Sequence, residues 1–239
     1  MALRAIIFDV DGTLADTERD GHRPAFNAAF AEAGLAWYWD EAFYGTLLDV
    51  AGGKERMRHY AKTHDPETAA RPDFDDLLER LHGLKTAHYQ QLLTSGAIRL
   101  RPEIGQIICE ARTEGLRLAI ASSSKRENIV GLLQTNLGPQ ADTWFEVIAS
   151  GELDAKKKPA PDLYLWVLNA LGVPARDCLA VEDSSHGLAA SLAAGIPTVI
   201  TRSDYTTDED FEGARMVLSG AGELDLEHLR LWHATAGAG

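Results

Sequence analysis

Ala5-Ile6-Ile7-Phe8-Asp9-Val10-Asp11-Gly12-Thr13 begins as an apolar run and ends as an acidic turn. Between Leu3 and Phe8 only Arg4 is polar, which predicts a short buried strand running into a polar loop. Asp9 and Asp11 flank a single residue at the end of that strand. One carboxylate can then face a metal and a phosphorus atom while the other addresses a leaving oxygen. Taken alone, Asp-x-Asp-Gly fits a plain turn after a strand, or part of a calcium loop, equally well.

Further along, Arg117 to Ala121, Phe145 to Ile148, Cys178 to Val181 and Thr198 to Thr201 are apolar or β-branched runs with helical patterns between most of them. Strands alternating with helices predict a parallel sheet covered on both faces. Pro102 opens one helix and Gly115 follows its last turn. Gly172 and Gly195 close the next two, ahead of Pro174 and Pro197. Ile104, Ile107, Ile108 and Ala111 supply one apolar stripe, ordinary core packing.

From Thr17 to Leu93 the strand signal disappears and helical spacings replace it: Phe26, Phe30 and Ala33, then Leu77, Leu78, Leu81, Leu84 and His88. The expected organisation is an α/β core from 1–16 and 94–239, interrupted after its first strand by an all-helical insertion over 17–93. An insertion at that point is expected over the carboxyl edge of the sheet, where open α/β sheets bind ligands, as a lid. Ala234-Thr235-Ala236-Gly237-Ala238-Gly239 is expected to be frayed and has no assigned role.

With 23 Lys plus Arg against 36 Asp plus Glu, the formal charge is −13. This balance disfavours nucleic acid as a partner and would repel phosphorylated small molecules too, so a phosphate site must be made locally by a metal and clustered cations. Cys109 and Cys178 lie in apolar stretches without metal-ligand spacing and are expected as buried reduced thiols. No run of eighteen apolar residues is present, and Ala5 to Phe8 is too short for a signal-peptide core. A soluble protein of the cytoplasm, acting as a monomer and without a membrane partner, is the expectation.

Asp9-Val10-Asp11-Gly12-Thr13 resembles the first motif of the haloacid dehalogenase superfamily. Its second motif, a Ser or Thr ending a hydrophobic strand, is similar to Leu118-Ala119-Ile120-Ala121-Ser122. Its third, a lysine, resembles Lys156-Lys157-Lys158-Pro159-Ala160-Pro161-Asp162, with Lys158 in the family position. Its fourth, an acidic pair after a strand, resembles Leu179-Ala180-Val181-Glu182-Asp183. Adjacent carboxylates at a strand end repel unless a cation compensates them, and such a set suits magnesium.

The resemblance implies a Rossmannoid parallel sheet and phosphoryl transfer in which Asp9 attacks phosphorus and water hydrolyses the resulting aspartyl phosphate. Asp11 would act as acid and base, while Ser122 and Lys158 would stabilise the phosphoryl oxygens. The Asp9 carboxylate, the Asp11 carbonyl and Asp183 would hold Mg2+, with Glu182 acting through water or as a weaker contributor.

Within the insertion, Asp16-Thr17-Glu18-Arg19-Asp20-Gly21-His22 and Gly52-Gly53-Lys54-Glu55-Arg56-Met57 resemble the cap of the β-phosphoglucomutase-like subfamily, and more closely the CbbY-type sugar phosphatases. In that group an activity on xylulose 1,5-bisphosphate is known. The resemblance implies a sugar phosphate substrate, with a pentulose bisphosphate as the leading candidate.

Gly52 and Gly53 allow tight backbone approach, and Lys54 and Arg56 offer two cations for a second phosphate, although a hinge with a solvated helix face would read the same. Glu18 and His22, four residues apart, are candidates for sugar hydroxyls or a surface pair. Ser123, Ser124 and Lys125 continue the second-motif loop toward substrate, or simply cap a helix. Trp37, Tyr38 and Trp39 are assigned to packing. A phosphosugar mutase using the same four motifs is the alternative function, and a non-catalytic phosphosugar-binding regulator is a second.

Overall fold

A computed structural model of the chain describes residues 2–50 and 52–235; the end of the expected frayed tail, 236–239, lies outside the described residues. The chain divides into two compact units, one of Met1–Asp16 with Ile98–Gly239 and one of Thr17–Ala97.

The first unit is built on a six-stranded parallel sheet: β1 (Ala5–Phe8), β2 (Arg117–Ala121), β3 (Phe145–Ala149), β4 (Cys178–Glu182), β5 (Thr198–Thr201) and β6 (Met216–Leu218), in the order β3-β2-β1-β4-β5-β6. Connections leave β1 toward β2 on one side and return to β4 on the other. The order therefore reverses beside β1, the point at which open α/β sheets form a ligand crevice at their carboxyl ends. Register makes the crevice chemical: Phe8 pairs with Ile120 on one side and Val181 on the other, so the next residues out are Asp9 and, on β4, Glu182.

One face of the sheet packs Ala5, Ile7, Ala119, Ala121, Cys178 and Ala180 against Leu163, Tyr164, Val167 and Leu171, together with Ala190 and Ala194. Small residues on the strands let the helices approach closely, and all of these side chains are buried. β6 was absent from the sequence reading. It is three residues long and only partly buried, too short to show a period.

Cys178 is buried as expected, and burial pushes its thiol up to about 11. Cys109 corrects the expectation: it is exposed. Its helix, Pro102–Thr113, buries Ile104, Ile107, Ile108 and Ala111, and position 109 falls off that stripe at about 100° per residue.

The second unit is helical, with a π-type turn over Glu18–His22 followed by α1 (Arg23–Glu32), α2 (Glu41–Leu47), α3 (Gly53–His64), α4 (Pro66–Ala69) and α5 (Phe74–Thr94). Phe26, Phe30, Trp39 and Tyr44 are fully buried and pack in tilted and edge-to-face pairs. Trp37 is buried too, while Tyr38 between them is 68% exposed. The aromatic cluster is thus the core of this unit. Among the described residues no helix is long and apolar enough to cross a membrane.

Candidate active site

Three strand ends and one loop build the site. β1 delivers Asp9, whose N–H donates to the Val181 carbonyl at 3.0 Å, tying this residue to β4. The chain then turns at once, with the Leu14 N–H returning to the Val10 carbonyl at 2.9 Å. Gly12 holds a φ of +92°, and a Cβ there would stand 2.0 Å from Asp183 Oδ2. Only glycine fits, both for its backbone and for the carboxylate lying against it.

β4 continues into Glu182 and Asp183. The carboxylates of Asp9, Glu182 and Asp183 each offer an oxygen within 4.8 Å of the others, and all three residues are buried. The loop Ser150–Pro161 brings Lys158, which precedes a cis Lys158-Pro159 peptide bond. Its Nζ donates to Asp9 Oδ1 and to Glu182 Oε1, both at 2.5 Å. Lys156 and Lys157 remain exposed, so one lysine of the run enters the site and two meet water.

Burial governs the electrostatics. It pushes the Asp9 carboxyl up to about 8, with Lys158 opposing the rise and Glu182 and Asp11 adding to it. Asp183 is driven well above the carboxylate range by burial, then by Asp9 and Glu182, while a hydrogen bond from Ser203 and the charge of Arg101 pull it back. Burial works against the Lys158 charge as well, but Asp9 and Glu182 more than offset it and hold the ammonium above the ordinary lysine range.

With all three carboxylates ionised, as a bound cation would require, the cluster and its one paired ammonium would carry two net negative charges in a buried site. An uncompensated buried charge costs several kcal/mol. Glu182 Oε2 is also buried without a hydrogen-bond partner. A hard divalent cation with oxygen ligands matches both the charge and the donor set.

β2 ends in Ser122, fully buried, whose Oγ accepts from the Ser124 N–H at 3.0 Å. Ser124 Oγ donates to Asp11 Oδ2 at 2.6 Å, so the second-motif loop orients the second aspartate. Ser123 and Lys125 are exposed; Lys125 sits at the N-cap of the helix Arg126–Leu137 without a side-chain capping bond. The Ser123 carbonyl lies 2.0 Å from where a Cβ on Gly151 would stand, which requires glycine there.

In the helical unit the cap candidates separate. Glu18 Oε2 accepts from Tyr44 Oη at 2.5 Å, and Arg56 donates to the same Tyr44 oxygen at 3.0 Å and lies 3.6 Å from Glu18. His22 instead meets Lys85 Nζ at 2.8 Å and stacks on Tyr89. Lys54 pairs with Glu79 at 2.5 Å. Lys54 and Arg56 thus do not form one cationic pair: two residues along α3 they point roughly 200° apart. Gly52, with φ +98°, precedes α3, and Gly53 leaves 3.1 Å between its would-be Cβ and Phe26.

Sequence reasoning missed Tyr44, Lys85 and Tyr164. Single aromatic or basic residues in helices carry no local signal that separates a site from a core.

Residues 3–195 match the model of the haloacid dehalogenase-like hydrolase family. The protein CbbY (plasmid) of Cupriavidus necator is 47% identical over 97% of each chain. A crystal structure of CbbY from Rhodobacter sphaeroides in complex with phosphate shares 40% identity and a TM-score of 0.80 over 95% of this chain and 99% of that one. A variant of the same protein, in complex with xylulose-(1,5)bisphosphate, gives a TM-score of 0.79. A β-phosphoglucomutase from Clostridium difficile, 22% identical with a TM-score of 0.71 over 98% of each chain, shares the fold. On the match across most of its length and the 47% identical relative, this chain belongs to the haloacid dehalogenase-like hydrolase family, as an enzyme of the phosphatase type.

Proposed function

We propose that the chain is a magnesium-dependent phosphatase that removes phosphate from a small sugar phosphate through an aspartyl phosphate on Asp9, with a pentulose bisphosphate such as xylulose 1,5-bisphosphate as its substrate. The observation that carries the reading is the buried Asp9 carboxylate, 2.5 Å from a buried ammonium and grouped with two further carboxylates. A nucleophile desolvated in this way reacts only if its charge is maintained.

Magnesium, held by Asp9, the Asp11 carbonyl and Asp183 with Glu182 at longer range, would supply that neutralisation and screen the phosphoryl oxygens from the carboxylates. Asp9 attacks phosphorus and the alkoxide leaves with a proton from Asp11. Asp11 then takes a proton from the water that cleaves the acyl phosphate. The Ser124 hydroxyl keeps Asp11 oriented, and Lys158 and Ser122 stabilise charge on the transferred group. The bisphosphate reading draws on the CbbY complex and on the cation Arg56, whose side chain is 13% exposed.

Release of inorganic phosphate from xylulose 1,5-bisphosphate, with and without magnesium, tests the proposal. Metal-dependent release supports it. Conversion of β-glucose 1-phosphate to glucose 6-phosphate without free phosphate would replace it with the mutase reading.

A further inference from the structure

Tyr164 lies six residues after Lys158, in the helix Asp162–Leu171, and is fully buried. Its hydroxyl donates to Glu182 Oε1 at 2.5 Å. That same oxygen accepts from Lys158 Nζ at 2.5 Å, and Lys158 Nζ stands 5.2 Å from the centre of the Tyr164 ring. The other Glu182 oxygen has no hydrogen-bond partner, and the backbone of Gly187 lies close enough that a Cβ there would be 1.9 Å from it. The donors on Oε1 therefore set how this carboxylate is turned, because a terminal carboxylate torsion is broad and has little preference of its own.

Lysine has a flexible four-carbon stem, so one partner leaves its ammonium free to swing. Two carboxylates and an aromatic face define it far better.

We propose that Tyr164 is a positioning residue of this site: its hydroxyl fixes Glu182 Oε1 as the acceptor that holds Lys158 against Asp9. The inference rests on the phosphatase reading above. Glu182 on this account uses its oxygens differently: the first job, orienting the lysine, falls to Oε1, while Oε2 is buried beside Gly187 without a hydrogen-bond partner. Tyr164→Phe isolates the first job, since it keeps the ring, its packing and its place under the ammonium while removing a single donor.

The test compares wild type, Tyr164→Phe, Glu182→Gln and the double variant, by steady-state hydrolysis of a sugar phosphate with magnesium and by calorimetric binding of inorganic phosphate with magnesium. Tyr164→Phe should lower kcat about tenfold with KM within twofold, the loss of one hydrogen bond to a charged group, and should weaken phosphate binding by a similar factor. Its effect on phosphate binding should shrink to less than about twofold in the Glu182→Gln background, because residues acting through each other are not additive.

A Tyr164→Phe protein with unchanged kcat and phosphate affinity, whatever its melting temperature, overturns the proposal. So does an equal weakening of phosphate binding in both backgrounds, which would place Tyr164 outside the Glu182 route. Wild-type protein without any magnesium-dependent hydrolysis would instead refute the underlying function, and the two failures are read in separate arms.

Discussion

In the sheet unit, three carboxylates and one ammonium sit almost wholly out of water, whereas the helical unit keeps Glu18, Lys54 and Arg56 partly exposed and balances them in nearby pairs. The first arrangement, when its carboxylates are ionised, carries a surplus of negative charge that Lys158 cancels only in part. The second is close to self-neutralising. Burial without cancellation is costly, and a fold keeps it where something else is to be bound. Partly exposed, matched charges cost little and can be exchanged for a ligand at small expense, as expected of groups that recognise rather than react.

The contrast can be broken at several points. Asp9→Asn should reduce phosphate release by more than roughly 10³-fold, the scale of losing a nucleophile. Since one excess buried charge is also removed, the melting temperature should hold or rise. A clear fall in melting temperature would show that Asp9 is needed for folding and that the surplus is not a strain. Lys158→Met should cost about 3–5 kcal/mol in urea unfolding without magnesium, because it removes the ammonium paired with the buried Asp9 and Glu182 carboxylates. Added magnesium should restore part of that loss. Unfolding midpoints unmoved by the substitution would mean that the carboxylates are already protonated in the folded protein.

Gly12→Ala should cost about 1–3 kcal/mol, since it combines a φ of +92° with a Cβ 2.0 Å from Asp183 Oδ2. Magnesium affinity measured by calorimetry should fall with it, and normal affinity in a destabilised protein would separate the turn from the metal. Arg56→Ala in the helical unit should change stability by about 0.5–1 kcal/mol. Its hydrolysis of a pentulose bisphosphate should drop about tenfold with the monophosphate nearly unaffected, the value of one charge-assisted contact. Equal losses on both would remove the second-phosphate role.

The strands of the core were legible because each is a short apolar run cut off by a polar turn, a pattern visible within ten residues. β6, three residues long and with only Leu218 fully in the core, fell below that threshold. Cys109 was misread because an apolar neighbourhood in sequence is not an apolar face on a helix. Lys54 and Arg56 looked like a pair in sequence and are separated by helical geometry. The aromatic run 37–39 was readable as packing, though only the structure shows that Tyr38 turns outward while its neighbours turn in.

The sequence by itself determined the sheet class, the position of the helical insertion and the four polar strand ends, because hydrophobic period and turn chemistry act over a few residues. Tertiary structure alone decided that Lys158 leaves its two neighbours to reach Asp9 and Glu182, that Ser124 turns to Asp11, and that Tyr164 shares Glu182 Oε1. Those contacts join residues up to 149 positions apart. They depend on the register of parallel strands across the sheet, which no local stretch of sequence contains.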